Sequence, residues 1–283
     1  MKIQASLLAL LAAAALAQED NTRQIWSAQI LKNRPAGRSG APAAAPRYKP
    51  VVQSAGASAP AGDGTVVGVT LWRMRDPKPS DGTGTRLLVL EGDRSRKQTP
   101  ERVDSSMPLG NGDEVRLTVE VPSTGYLYVI DRERYADGKM SDPYLIYPNE
   151  QTRQGDNVVA PGRLVEIPDR RDRINVFTIR PTRPDQTAEV LSLLVSPEPI
   201  PHLKAGHDPL KLDAALYAGW EKKWAVKAEI AELVGGAGKS ITEKENKVGA
   251  TLTKDDPLPQ TLYHVGVKPG SAVLLEIPLQ LKK

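Results

Sequence analysis

Hydrophobic and polar positions alternate most strictly between Gly112 and Asp131. There Val115, Leu117, Val119 and Val121 are interleaved with Arg116, Thr118 and Glu120, the period of a strand with one buried and one wet face. From Tyr126 to Ile130 both alternating sets are apolar, which predicts a strand covered on both sides. Pro122-Ser123-Thr124-Gly125 is a short link ending in glycine, so the two strands are expected to pair as an antiparallel hairpin.

The same pattern predicts a long first strand over Thr65–Arg75 and shorter ones over Leu87–Leu90, Tyr144–Tyr147, Leu164–Ile167, Ile174–Ile179 and Glu189–Ser196. Arg94 to Val103 is polar enough to read as an exposed excursion. Short strands at regular spacing, separated by turn residues, predict a mainly β fold: an antiparallel β-sandwich-like domain over residues 65–200.

Beyond Pro201 the period changes. Leu212, Leu216, Trp220 and Trp224 recur at every fourth position, followed by Ile230 and Leu233, which predicts a C-terminal amphipathic helix started by Asp208-Pro209 and stopped by Gly235-Gly236. Thr261–Val267 and Ala272–Leu279 then read as a terminal hairpin turning at Lys268-Pro269-Gly270. Residues 201–283 are expected to pack on the same domain.

The N-terminus has a different character. Lys2, the apolar run Leu7–Leu16 and Ala15-Leu16-Ala17 before Gln18 have the layout of a signal peptide over residues 1–17. That run is shorter than the roughly 20 residues a membrane-spanning helix needs, and no later segment qualifies. Residues 18–64 are expected to form a flexible Ala/Pro/Gly-rich arm. Ile25, Trp26, Ile30 and Leu31 could line one stripe of a short helix, but isolated helices of that length are marginal. A frayed arm is therefore favoured over a docked helix, and Trp26 keeps the second option open. From Pro35 to Gly64 the composition suits a tether.

Composition narrows the chemistry. With no Cys there is no disulfide framework, thiolate metal site or cysteine nucleophile. The formal charge of +4, or +3 once Lys2 is removed, is mild and interspersed, which argues against nucleic acid as a partner. In the acidic stretch 131–142, Asp131, Glu133, Asp137 and Asp142 do not have the spacing of an EF-hand loop, and an Asp137-Gly138 turn is the favoured reading over a calcium site. Asp169-Arg170-Arg171-Asp172-Arg173 alternates in sign and reads as a solvated turn. Gly235 to Ser240 resembles the end of a phosphate-binding loop, but Leu233 stands where its first glycine belongs. His202, His207 and His264 form no metal-ligand pair, and no G-x-S-x-G elbow is present. No catalytic, cofactor-binding or metal-binding residue is assigned, and no cofactor is expected.

Val69-Thr70-Leu71-Trp72-Arg73, Gly112 to Leu117, Gly125 to Ile130, Asp137-Gly138, Leu145 to Asn149 and Glu189 to Ser196 occur in an order that resembles the bacterial domain-of-unknown-function family 4384, over roughly Thr65 to Pro199. The resemblance implies a β-rich accessory domain of exported proteins and carries no catalytic residues. The expectation is a non-enzymatic, periplasmic or extracellular protein acting on an envelope protein partner, with an exposed strand edge as one possible means of contact. Two alternatives stay open. One is a carbohydrate-binding or carbohydrate-cleaving protein using Trp72, Trp220 and Trp224, and burial of those rings would remove its platform. The other is a purely structural scaffold.

Overall fold

The computed structural model describes residues 24–37, 46–51, 64–201, 203–247, 249 and 251–282. The expected signal peptide, most of the tether and His202 lie outside the described residues. Helix α1 (24–32) and β1 (Tyr48–Pro50) precede β2 (Thr65–Arg75), β3 (Leu87–Glu91) and β4 (Arg94–Val103). Next come β5 (Glu114–Glu120), β6 (Gly125–Tyr135), β7 (Tyr144–Tyr147), β8 (Val158–Val159), β9 (Val165–Ile167) and β10 (Phe177–Thr178). The order ends with β11 (Gln186–Ser196), β12 (Leu210–Lys211), α2 (Ala214–Trp224), β13 (Glu229–Leu233), α3 (Glu243–Lys247), β14 (Thr261–Val265) and β15 (Val273–Gln280).

Apolar on both faces, β2 becomes the hub of the first sheet. Its first half pairs with β14 and its second half with β4, while β5 lies along the other edge and carries β9 and β10. Beyond β14 come β13 and β1. The second sheet runs β12-β7-β6-β11-β15, with β8 beside the start of β6. All of these pairings are antiparallel. Inward side chains of the two sheets meet in one core, in which Val67, Val69, Leu117 and Val119 oppose Leu127, Val129, Leu193 and Leu275. Burial of each such side chain contributes about 1.5–3 kcal/mol. The antiparallel sandwich expected from the alternation is the fold observed.

Two expected hairpins are not hairpins. β5 joins the first sheet and β6 the second, so the link at 121–124 crosses from layer to layer. β14 and β15 are likewise divided between the sheets. Both links are tight because a strand end and the start of the next face each other across the sandwich. At Gly125 a Cβ would come within 2.5 Å of the Ser196 carbonyl oxygen, so the crossing needs a residue without a side chain.

Other expectations are corrected. Arg94–Val103 is strand β4, not an excursion, and its half from Gln98 onward is buried. Its charges are satisfied internally: Glu101 accepts from Arg73 and Arg75, and the Arg102 guanidinium lies 5.0 Å from the Trp72 ring centroid. The C-terminal helix begins at the N-cap Asp213, whose side chain accepts from the Leu216 N–H, and ends at Trp224. Ile230 and Leu233 belong to β13. The docked face of α2 is Tyr217 and Trp220 with the preceding Leu212, whereas Leu216 is 46% exposed.

The N-terminal segment is also corrected, since residues 24–32 form a docked helix. Trp26 and Ile30 are buried against Val66, Ala231, Leu258 and Leu262 on the outer face of the first sheet. Within the expected tether, β1 pairs with β13, and the Tyr48 hydroxyl donates to the Pro259 carbonyl at 2.6 Å. On the opposite outer face α2 covers Tyr128, Ile130, Leu194 and Leu274. The result is helix, sheet, sheet, helix, which explains why β6 is apolar on both sides.

One strand edge is sealed by a side chain. Asn175 accepts from Leu90 N through its Oδ1, donates from Nδ2 to the Leu88 carbonyl, and donates from its backbone N–H to the Leu90 carbonyl. It thereby occupies the free edge of β3 as a further strand would.

Candidate binding cleft

On the outer face of the first sheet, next to α1, alternation along β5 and β9 turns polar side chains away from the core. Val165 and Ile167 face inward and are buried, so Glu166 between them points out. It pairs in register with Thr118 and lies beside Arg116. Arg116 donates to Glu166 and to the Pro168 carbonyl at 3.1 Å. The turn after β9 brings Arg170 back onto Glu166, where it makes a close ion pair. Arg170 also donates to the Asn246 carbonyl at 2.6 Å, tying α3 to the site.

Glu166 and Arg170 separate two spaces. Behind them a small cavity of ≈ 50 Å³ is floored by Thr70, Trp72 and Thr118 and walled by Arg34, Glu120 and Pro259. Trp72 Nε1 donates to Thr118 Oγ1 at 3.2 Å. In front lies a cleft of ≈ 620 Å³ walled by Arg153, Arg163, Arg170 and Arg171 with Asp156, Glu166, Asp169 and Asp172.

Each acid of the cleft accepts hydrogen bonds from within the protein. Asp169 accepts from Arg171 through both oxygens at 2.9 Å. Asp172 accepts the backbone N–H groups of Arg153 and Asp169. Asp156 accepts from Arg153 Nη2 and from the Val158 N–H. Burial raises the Asp169 carboxyl and the Arg171 guanidinium lowers it, with a net shift below the usual carboxylate range. Glu166 is also held low, because hydrogen bonds from Arg170 and the Arg116 charge outweigh its burial. Asp172 is shifted upward, chiefly by burial.

The backbone at the mouth is strained. Arg153 and Gln154 have φ of 52° and 57°, and Gly155 follows at 79°. A left-handed conformation costs a side-chain-bearing residue about 1–2 kcal/mol, and such strain concentrates at binding sites. Exposed Gln154 offers a direct check. Gln154→Gly is expected to raise stability by about 0.5–1 kcal/mol in thermal unfolding, and a loss of stability would show that the turn is not strained.

No family model, no curated protein and no solved structure matches this chain. The site therefore rests on its own geometry.

Residues singled out in the sequence are dispersed. Asp137 pairs with Lys139 at the turn, where Gly138 has φ of 81°, and Asp142 pairs with Lys211. Glu133 accepts from Tyr135 and Thr182 at 2.6 Å each. Among the described residues no group of three or more His, Asp or Glu has the arrangement of a metal site, and no helix is long and apolar enough to cross a membrane. His207 is exposed beside Asp208, whereas buried His264 stacks on Trp26 at 4.8 Å, and burial pushes its pKa down. The glycine-rich run at 235–240 follows β13, and the Gly236, Gly238 and Lys239 N–H groups donate to the Leu233, Arg102 and Gly236 carbonyls. Trp72 and Trp220 are buried, and Lys223 lies over the partly buried Trp224 ring. The charge run at 169–173 forms a wall of the cleft as well as a turn. Glu166 stands only four residues before Arg170, but Arg153, Asp156 and Arg163 reach the cleft from preceding segments, so the charge run alone does not outline the site.

Proposed function

We propose that this protein is a non-catalytic, exported accessory module that holds a protein partner at the charged cleft, and that it belongs with the domain-of-unknown-function family it resembles. The observation that carries this reading is the cleft itself. Small-molecule sites of several hundred Å³ are lined mainly by apolar and aromatic side chains, whereas this one is walled by four arginines and four carboxylates. Arginine is enriched where proteins meet, and a charged, open wall suits a protein segment. The glycan alternative is weaker, since two of its three stacking rings are buried.

A photoreactive side chain at position 163 tests the reading against one at position 49, on the far edge of the first sheet. In the native cell envelope, saturable crosslinking of one protein from position 163 alone is the expected result. Equal labelling from both positions, or recovery of polysaccharide only, overturns it.

A further inference from the structure

We infer that the cleft recognises an acidic peptide segment, one presenting several carboxylates, as the part of the partner that enters it. This rests on the reading of the cleft as the partner's site.

Donors and acceptors in the cleft are unequally committed. Each oxygen of Asp156, Glu166, Asp169 and Asp172 already accepts at least one hydrogen bond from within the protein. The donors are not used up. Arg163 is exposed, and its side chain has no hydrogen-bond or ion-pair partner among the described residues. Arg171 is engaged through Nε and Nη2, which leaves Nη1 open, and its side chain is 82% exposed. Arg153 uses only Nη2, but its side chain is 11% exposed, so it backs the wall rather than facing the opening. The cleft therefore offers exposed guanidinium N–H groups at Arg163 and Arg171, while Glu166 and Asp169 are turned inward onto arginines of the protein itself. The Glu166 and Asp169 side chains are only 12% and 9% exposed, whereas Arg163 is exposed and the Arg171 side chain is 82% exposed, so an incoming carboxylate meets uncommitted guanidinium groups before it meets the acids. Guanidinium groups bind carboxylates through paired N–H groups. The volume of ≈ 620 Å³ admits several residues of an extended chain and exceeds what a single small anion fills.

The test uses the full chain and fluorescence anisotropy, with blocked hexaglutamate, blocked hexalysine and inorganic phosphate as probes. Hexaglutamate is expected to bind saturably and to weaken as salt rises, while hexalysine does not bind. Arg163→Glu should reduce hexaglutamate affinity at least tenfold, Arg163→Lys should reduce it less, and Lys49→Glu, with the same charge change at a distant exposed site, should leave it within twofold. Unchanged thermal midpoints for the three variants show that folding is not the cause. Equal binding of hexalysine, indifference to Arg163→Glu, or full competition by phosphate at matched charge overturns the acidic-peptide assignment. If position 163 still crosslinks a partner that hexaglutamate does not displace, the cleft remains the partner's site and only the assigned chemistry falls. If neither crosslinking nor hexaglutamate binding is seen, both readings fall.

Discussion

Replacing Arg34 by alanine is expected to lower the unfolding free energy by about 3–5 kcal/mol, the usual result of removing one partner from a buried ion pair. Arg34 and Glu120 are only 1% and 2% exposed, and the pair is bidentate, with Nε at 2.8 Å and Nη2 at 2.6 Å from the two carboxylate oxygens. The remaining donors reach the Asp256, Pro257 and Thr253 carbonyls. Truncation thus strands a buried carboxylate and several carbonyls together. It also unfastens the segment after α1 from the strand that floors the cavity. Urea unfolding at neutral pH measures the loss. The double variant Arg34→Met with Glu120→Leu should recover the part of the loss due to the stranded carboxylate, but not the part due to the Asp256, Pro257 and Thr253 carbonyls, which still lack the Arg34 donors. A loss below about 1 kcal/mol for the single variant would show that water or another cation takes over the role.

The second large effect is a pH dependence from Asp131 and Glu189. They project from neighbouring strands β6 and β11 toward the interior, in a part of the sandwich where Glu133 adds a third carboxylate. Asp131 Oδ1 and Glu189 Oε2 lack hydrogen-bond partners among the described residues. Burial, reinforced by the neighbouring carboxylates, raises Asp131 to about 6 and Glu189 to about 8. A carboxyl raised in the folded state contributes stability that is fully present below its unfolded value near 4 and is lost as pH rises through the folded value. Stability should therefore fall between about pH 4 and pH 8, by on the order of 2–3 kcal/mol for the pair once partial exposure is allowed for. This window lies above the one in which ordinary paired carboxylates such as Asp81, held low by Arg75, take up protons. Glu189→Gln retains the acceptor that Gln186 Nε2 reaches at 2.8 Å and removes one charge. Its denaturation midpoint should exceed that of the parent at pH 9 and approach it at pH 4. A variant with the parent's full slope would place the titration elsewhere.

Strand positions were legible because alternation reports burial directly, as Val115 to Val121 show. Strand partners were not. The link Pro122–Gly125 has the length and residues of a hairpin, and a chain that turns within one sheet or crosses to another presents the same alternation on either side. What separates the two outcomes is the rest of β2, whose edges take β5, β4 and β14. β4 was missed because its buried positions include Glu101 and Arg102, whose cost is offset by partners on other strands. The EIAEL segment of β13 continued a helical spacing, yet its backbone is claimed by β1 and β14. The cleft was half legible: the charge run at 169–173 stands out, but the strained turn at 153–155 and the outward Glu166 acquire meaning only when the fold brings them together.

The position of the last two strands has a consequence for how the molecule comes to exist. β14 lies between β2 and β13, and β15 lies along β11, so neither sheet has these strands until residues 261–280 are available. During vectorial synthesis the early strands must wait, with their edges unpaired, for segments made nearly two hundred residues later. Such non-local topology slows folding and prolongs exposure of half-formed sheets. A chain of this kind commits to its native structure late and nearly all at once, and truncation from the C-terminal end should leave a product that is aggregation-prone rather than a smaller stable domain.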